Sequence, residues 1–121
     1  MTQIDCLNRL RDQIYADAVA HGLWESAGGP PAYLAAARLI LGEALELLEA
    51  AYWLDSAYRL HMEGAADDDS LRLALDHFCE ELADVMISCL SSCGEMCIDA
   101  DMVVAAKMEV NKGRSHRHEH D

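Results

Sequence analysis

Basic side chains are scarce in this chain: nine Lys and Arg stand against 22 Asp and Glu, for a net charge of −13. Such an acidic chain is a poor match for the backbone of a nucleic acid, which is gripped by a basic face. Long apolar runs are missing too. None approaches the ~20 residues that a membrane span needs, and the opening Met-Thr-Gln-Ile-Asp lacks the basic and apolar regions of a signal peptide. The five cysteines are odd in number and show no paired loop spacing, which speaks against a disulfide framework and for a reducing cytoplasm. Aromatic residues make up only 6% of the chain, there are two prolines, and β-branched residues are sparse. Sheets draw on the residue types this chain lacks, so the composition predicts an all-α protein.

What is present is alanine, leucine and acid. At 121 residues the chain has the size of one domain with one hydrophobic core. The charge is uneven. Lys107, Lys112, Arg114 and Arg117 lie in the last fifteen residues with only three acids, so the upstream chain carries −14. Any anionic ligand must be held by that basic end or through a cation.

Hydrophobic spacing predicts four helices with short connections, hence a four-helix bundle across residues 1–121. The first runs from about Thr2, with Thr2 and Asp5 as a capping-box-like start, to Ala20 before Gly22. A Ser-Ala-Gly-Gly-Pro-Pro loop follows, and the long second helix runs from Pro31 or Ala32 to Met62. Its main apolar stripe is Leu41, Leu45, Leu48 and Tyr52, with Glu43, Glu46, Glu49 and Trp53 on one flank. The third helix spans Leu71 to Met96, capped by Asp69 or Ser70, with Phe78, Leu82, Val85, Cys89 and Cys93 as its core stripe. Asp99 caps the last helix, which ends near Gly113, and residues 112–121 form a polar tail.

Two acidic motifs carry the chemistry. Glu43, Glu46 and Glu49 recur every three residues on the second helix, and Glu81 and Asp84 do so on the third. Residues three apart are neighbours on a helix surface, so each set forms a ridge. A hard cation such as Mg²⁺ takes oxygen ligands, and carboxylates from two facing helices supply them. The same spacing is also that of a solvated helix face, and spacing alone does not separate the two.

The segments E-A-L-E-L-L-E-A, E-E-L-A-D-V-M-I, C-I-D-A-D-M and K-M-E-V-N-K-G-R-S-H-R-H, with H-G-L-W-E before the second helix, stand in that family's order and together resemble the MazG-like nucleotide pyrophosphohydrolases. The likeness is to the small single-domain phage and bacterial members of that all-α superfamily and covers most of the chain from His21. It implies E-x-x-E and E-x-x-D as Mg²⁺ ligands, here Glu43 and Glu46 with Glu81 and Asp84, with Mn²⁺ as a substitute. Glu49 offers a competing register with Glu46, as an outer ligand or as the group that positions the attacking water. The thirty-five positions from Glu46 to Glu81 exceed the interval common in the family, and a longer second helix plus the D-D-D-S loop absorbs them. The implied reaction is hydrolysis of a nucleoside triphosphate between the α and β phosphates, serving nucleotide-pool housecleaning. Lys107 and Asn111 match the family's K-x-x-x-N, and with Lys112 and Arg114 they are the residues implied for phosphate contact. Lys112 equally suits complementation of a helix C-terminus. Relatives form homodimers or homotetramers, and the long second helix suits the same assembly.

Other residues invite alternatives. Trp53 and Trp24 are candidates for base stacking or for the core and subunit interface. Cys89, Cys93 and Cys97 span about 12 Å along a helix, too far for one tetrahedral ion, which leaves packing. His116, His118 and His120 belong to the solvated tail. A carboxylate-bridged di-metal bundle enzyme would place a His three after a Glu, and neither His61 nor His77 has that Glu. An acidic, non-catalytic interaction module would keep the ridges without needing Lys107, Asn111 and Arg114.

Overall fold

The computed structural model of the chain describes residues 5–24 and 32–114. Four helices make up the described residues, without strands: α1 (Cys6–Ala20), α2 (Tyr33–Met62), α3 (Asp68–Glu95) and α4 (Ala100–Lys112). This all-α order is compatible with a four-helix bundle. No described helix is long and apolar enough to cross a membrane. Thr2, Pro31 and the histidine tail lie outside the described residues.

Helices α2 and α3 form an antiparallel hairpin, and each meets the other along a narrow seam. On α2 the seam runs Ala36, Ile40, Glu43, Leu47, Ala50, Leu54, Ala57, alternating steps of three and four, all buried or half-buried. On α3 it runs Ala74, Phe78, Glu81, Val85, Ser88, Ser92 and Glu95 in the same rhythm. That period is the knobs-into-holes repeat of paired helices. The deepest positions are small: Ala36, Ala50, Ala57, Ala74, Ser91 and Ser92 are buried, which lets the helices approach closely.

The predicted stripe of α2 is not this seam. Leu41, Leu45, Leu48 and Tyr52 are 58%, 53%, 50% and 67% exposed, and at ~100° per residue they lie about 140–180° around the helix from Glu43. Helix α2 is apolar on two opposite faces, and its small-residue face takes the hairpin contact while its leucine face is left open. On α3 Phe78, Val85 and Cys93 are half-buried as expected, but Leu82 and Cys89 are exposed. The expected packing of the cysteine row therefore holds for Cys93 alone, since Cys97 is exposed too. Burial pushes the Cys93 thiol above its ordinary pKa.

Helix α1 runs antiparallel along the C-terminal half of α3, so closely at Gly94 that a methyl group there would lie 2.5 Å from Tyr15 Cβ. The Tyr15 hydroxyl donates to Glu95 Oε1 (2.9 Å), and Trp24 Nε1 donates to Ser91 Oγ (2.8 Å). Three helices end in the same way. The N–H groups of Leu23, Ala65 and Ile98 reach back to Ala18, Leu60 and Cys93, five residues earlier. The residue before each has positive φ: Gly22, Gly64 and Cys97. Gly22 thus provides the expected stop, whereas Cys97 occupies a glycine position.

Caps differ from expectation at two starts. Asp67, not Asp69 or Ser70, caps α3 by accepting from Ser70 N–H (2.9 Å), because the chain is already helical from Asp68. Asp5 makes no side-chain cap on α1. Asp101 does so from the far end of the sequence, accepting from the N–H groups of Leu7 (3.1 Å) and Asn8 (3.0 Å). Asp99 caps α4 through Met102 N–H as expected. Asn8 completes the joint, donating to Asp99 Oδ1 (2.9 Å) and accepting from Ala100 N–H (2.8 Å). Beyond this first turn α4 stands away, and every residue from Met102 to Arg114 is exposed.

Candidate metal centre

Glu43 and Glu81 occupy seam positions, where the neighbours on either side are Ile40 and Leu47 on α2 and Phe78 and Val85 on α3. A seam position turns its side chain into the facing helix, so these two carboxylates meet between α2 and α3. Glu46 stands one turn on from Glu43. One oxygen from each of Glu43, Glu46 and Glu81 lies within 4.8 Å of the others. Glu43 Oε2 and Glu81 Oε2 are buried and have no hydrogen-bond partner.

Electrostatics make this arrangement costly. Burial, followed by the charges of Glu46 and Asp84, a hydrogen bond with Glu46 and the charge of Glu81, raises the pKa of Glu43 above the usual carboxylate range. Like charges at such separations repel by roughly 3–4 kcal/mol per pair at an effective dielectric of 20, and leaving a buried acceptor unmade adds about 1–3 kcal/mol. Both costs vanish if the acids share a cation. The donor set is all oxygen, with neither His nor Cys, which suits a hard ion such as Mg²⁺ or Mn²⁺ rather than Zn²⁺.

Three of the four expected ligands therefore converge. Asp84 stands beside them, close enough to act on Glu43, and is exposed. Glu49 does not join: it is exposed and sits about 120° around α2 from Glu43. Trp53, 43% exposed, lies with its ring centroid 5.2 Å from that of His77 at 53°. His77 Nε2 in turn lies 3.7 Å from Glu81 Oε1, so the aromatic pair adjoins the acids. Lys107, Asn111, Lys112 and Arg114 are not brought to the centre. All four are exposed on or just past α4, and Lys112 pairs with Glu109 of its own helix (2.9 Å).

A cavity of about 450 Å³ opens beside the acids between α1, α2 and α3, with Glu43 and Asp84 at one end, Leu39 and Ile87 as walls, and Ser88 and Ser91 offering hydroxyls. That volume is in the range of small-molecule pockets. Asp17 and His21 of the α1 end also line it. A second cavity of about 480 Å³, around Leu54, Tyr58, Leu71 and Phe78, is almost wholly apolar and away from the acids. Of these two cavities, the smaller is lined by Glu43 of the acidic group.

The sequence reading missed His77, Asp17 and the two serines. His77 was visible as the residue four before Glu81. Asp17 and the serines carried no signal, because their place in the cavity wall depends on how α1 crosses α3. Comparison with family models, with characterised proteins and with solved structures gives no match for this chain.

Proposed function

We infer that the chain is a Mg²⁺-dependent nucleoside triphosphate pyrophosphohydrolase of the MazG-like kind, releasing monophosphate and pyrophosphate in nucleotide-pool housecleaning. The observation that carries this reading is the pair of buried, unpartnered carboxylate oxygens on Glu43 and Glu81, with Glu46 completing a group within 4.8 Å. Two acids placed at seam positions of a helix pair reduce stability, so their presence calls for a ligand.

Glu43, Glu46 and Glu81 hold the ion, with Asp84 at the rim. Mg²⁺ bound there polarises phosphate oxygens and lowers the pKa of a bound water. Glu46 is the exposed member of the trio and is the carboxylate best placed to accept a proton from a water. Glu49 lies a further ~60° around α2 and serves from outside. The cavity beside the acids takes the nucleoside, with its serine hydroxyls as hydrogen-bonding groups, and Trp53 offers a ring face at the same centre.

The protein works as a homo-oligomer. A helix that is apolar on both faces is ordinarily covered on both, and Leu41, Leu45, Leu48 and Tyr52 are half or more exposed. Covering that ridge is worth on the order of 1 kcal/mol per residue.

Incubation with a panel of canonical and modified nucleoside triphosphates tests the reading. Pyrophosphate, not phosphate, is the expected product, dependent on Mg²⁺ and abolished in Glu46→Ala and Asp84→Ala. Absence of turnover for every triphosphate, with no heat of Mg²⁺ binding, would replace the enzyme by an acidic interaction module.

A further inference from the structure

We propose that Asp17 selects the base of the substrate: the end of the cavity remote from the metal centre reads the pairing edge of guanine, so the preferred substrate is a guanine nucleoside triphosphate. This rests on the hydrolase reading, which puts the metal-bound triphosphate at Glu43 and the nucleoside in the cavity between α1, α2 and α3.

The cavity has two ends. Glu43 and Asp84 mark one, and Ser91, also in its wall, stands seven residues on from Asp84 along α3, about 10 Å by helical rise. Helix α1 crosses that second end antiparallel to α3, with Tyr15 against Gly94 and bonded to Glu95. Two residues further along α1, Asp17 is about level with Ser91 and Ser92, and His21 is about level with Ser88. A nucleoside with its α-phosphate at the acids reaches this end with the outer edge of its base.

The lining there is rich in acceptors and poor in donors. Among the described residues no Lys, Arg, Asn or Gln lines the cavity. The Asp17 carboxylate makes no ion pair among them, and neither it nor the Ser88 hydroxyl has a hydrogen-bond partner. His21 Nδ1 lies 2.7 Å from the Asp17 carbonyl oxygen. A carbonyl only accepts, so Nδ1 carries the proton and Nε2 of the neutral ring is left as an acceptor. The α1 wall thus accepts, and the donors come from α3. Ser88 and Ser91 are 8% and 2% exposed, and Ser91 Oγ accepts from Trp24 Nε1, which leaves its own proton to donate.

Bases differ in what they present to such a lining. The pairing edge of guanine carries two adjacent donors, N1–H and the 2-amino group, beside one acceptor, O6. The two oxygens of a carboxylate take the two donors side by side, and a serine hydroxyl donates to O6. Adenine and cytosine set a ring-nitrogen acceptor next to their amine, and uracil flanks its single N–H with two carbonyls. Each of these turns a lone pair towards Asp17, a mismatch that costs affinity because acceptor meets acceptor away from bulk water. Leu39 and Ile87 supply apolar contact for the faces of the ring.

Two measurements on the full chain decide it. Pyrophosphate release with Mg²⁺ is compared for GTP, ITP, XTP, ATP, CTP and UTP, and calorimetry compares GMP with IMP, which need no hydrolysis. ITP differs from GTP only in lacking the 2-amino group, and its kcat/KM should be lower by about tenfold to a hundredfold, the worth of one hydrogen bond to a charged group. GMP should bind more tightly than IMP by a similar factor. Asp17→Asn turns one acceptor into a donor, which suits the 2-oxo group of xanthine, so this variant should prefer XTP to GTP. A merely structural role for Asp17 would lower all substrates together. Turnover with equal kcat/KM for GTP and ITP, or an Asp17→Asn protein that still prefers GTP, overturns the base assignment and leaves the hydrolase reading intact. Tighter binding of GMP than of IMP by a protein that turns over no triphosphate sinks the hydrolase reading and keeps the guanine pocket. Absence of both turnover and GMP binding sinks the two together.

Discussion

Replacing Glu43 with leucine should make the metal-free protein more stable, although it removes a residue of the proposed centre. Glu43 sits in the α2 seam between Ile40 and Leu47, with one oxygen buried and unpartnered. A half-buried leucine there gains about 1 kcal/mol from burial, and losing the orphaned acceptor removes a penalty of about 1–3 kcal/mol. Imperfect fit takes back part of this. The net expectation is a gain of about 1–3 kcal/mol, or about 3–6 °C in Tm per kcal/mol for a chain of this size, read by thermal or urea unfolding in chelator. The sign with pH follows from the raised pKa of Glu43. In the native state it holds its proton to higher pH than in the unfolded chain, so its contribution is fully present below the ordinary carboxylate pKa and is lost as pH rises through the raised one. The advantage of Glu43→Leu should therefore grow from pH 4 towards neutrality. With Mg²⁺ at a hundred times its Kd the wild type gains about 2.7 kcal/mol, and the variant's lead should close or reverse. A Glu43→Leu protein that is less stable than wild type in chelator would refute the reasoning and make Glu43 a structural anchor.

Three further outcomes follow from the packing. Gly94→Ala should cost about 1–3 kcal/mol in denaturant unfolding, because the new methyl meets the Tyr15 side chain with no space to yield. Cys97→Gly should gain about 0.5–1 kcal/mol, since Cys97 closes α3 with φ 54°, where glycine carries no steric penalty. Asp101→Ala should cost about 1–2 kcal/mol and increase amide exchange at Leu7 and Asn8, the two N–H groups it caps.

Much of the fold was legible because helix length and helix ends are local. Gly22, Asp99 and Gly113 mark ends that the structure places within a residue or two. What was not legible was orientation. Periodicity marks apolar faces but not which of two faces meets the neighbour, and on α2 the larger residues, Leu41 to Tyr52, pointed to the wrong one. Close helix approach favours alanine and serine, so the true seam ran through Ala36, Ala50 and Ala57. The cap of α1 was hidden for a different reason, since Asp101 is more than ninety residues from the N–H groups it satisfies. In the candidate site, Glu43, Glu46 and Glu81 were readable from three-residue spacing on two helices. Glu49 shared that spacing and still falls outside, because three steps of 100° carry each successive glutamate further from the seam.

Titrating the protein with Mn²⁺ while following the free-ion electron paramagnetic resonance signal tests the central claim most directly. Saturable loss of signal, reversed by Mg²⁺ and strongly weakened in Glu43→Gln and Glu81→Gln, is the predicted result. An undiminished Mn²⁺ signal, or binding that both substitutions leave unchanged, would contradict the assignment of the two seam carboxylates as a metal centre.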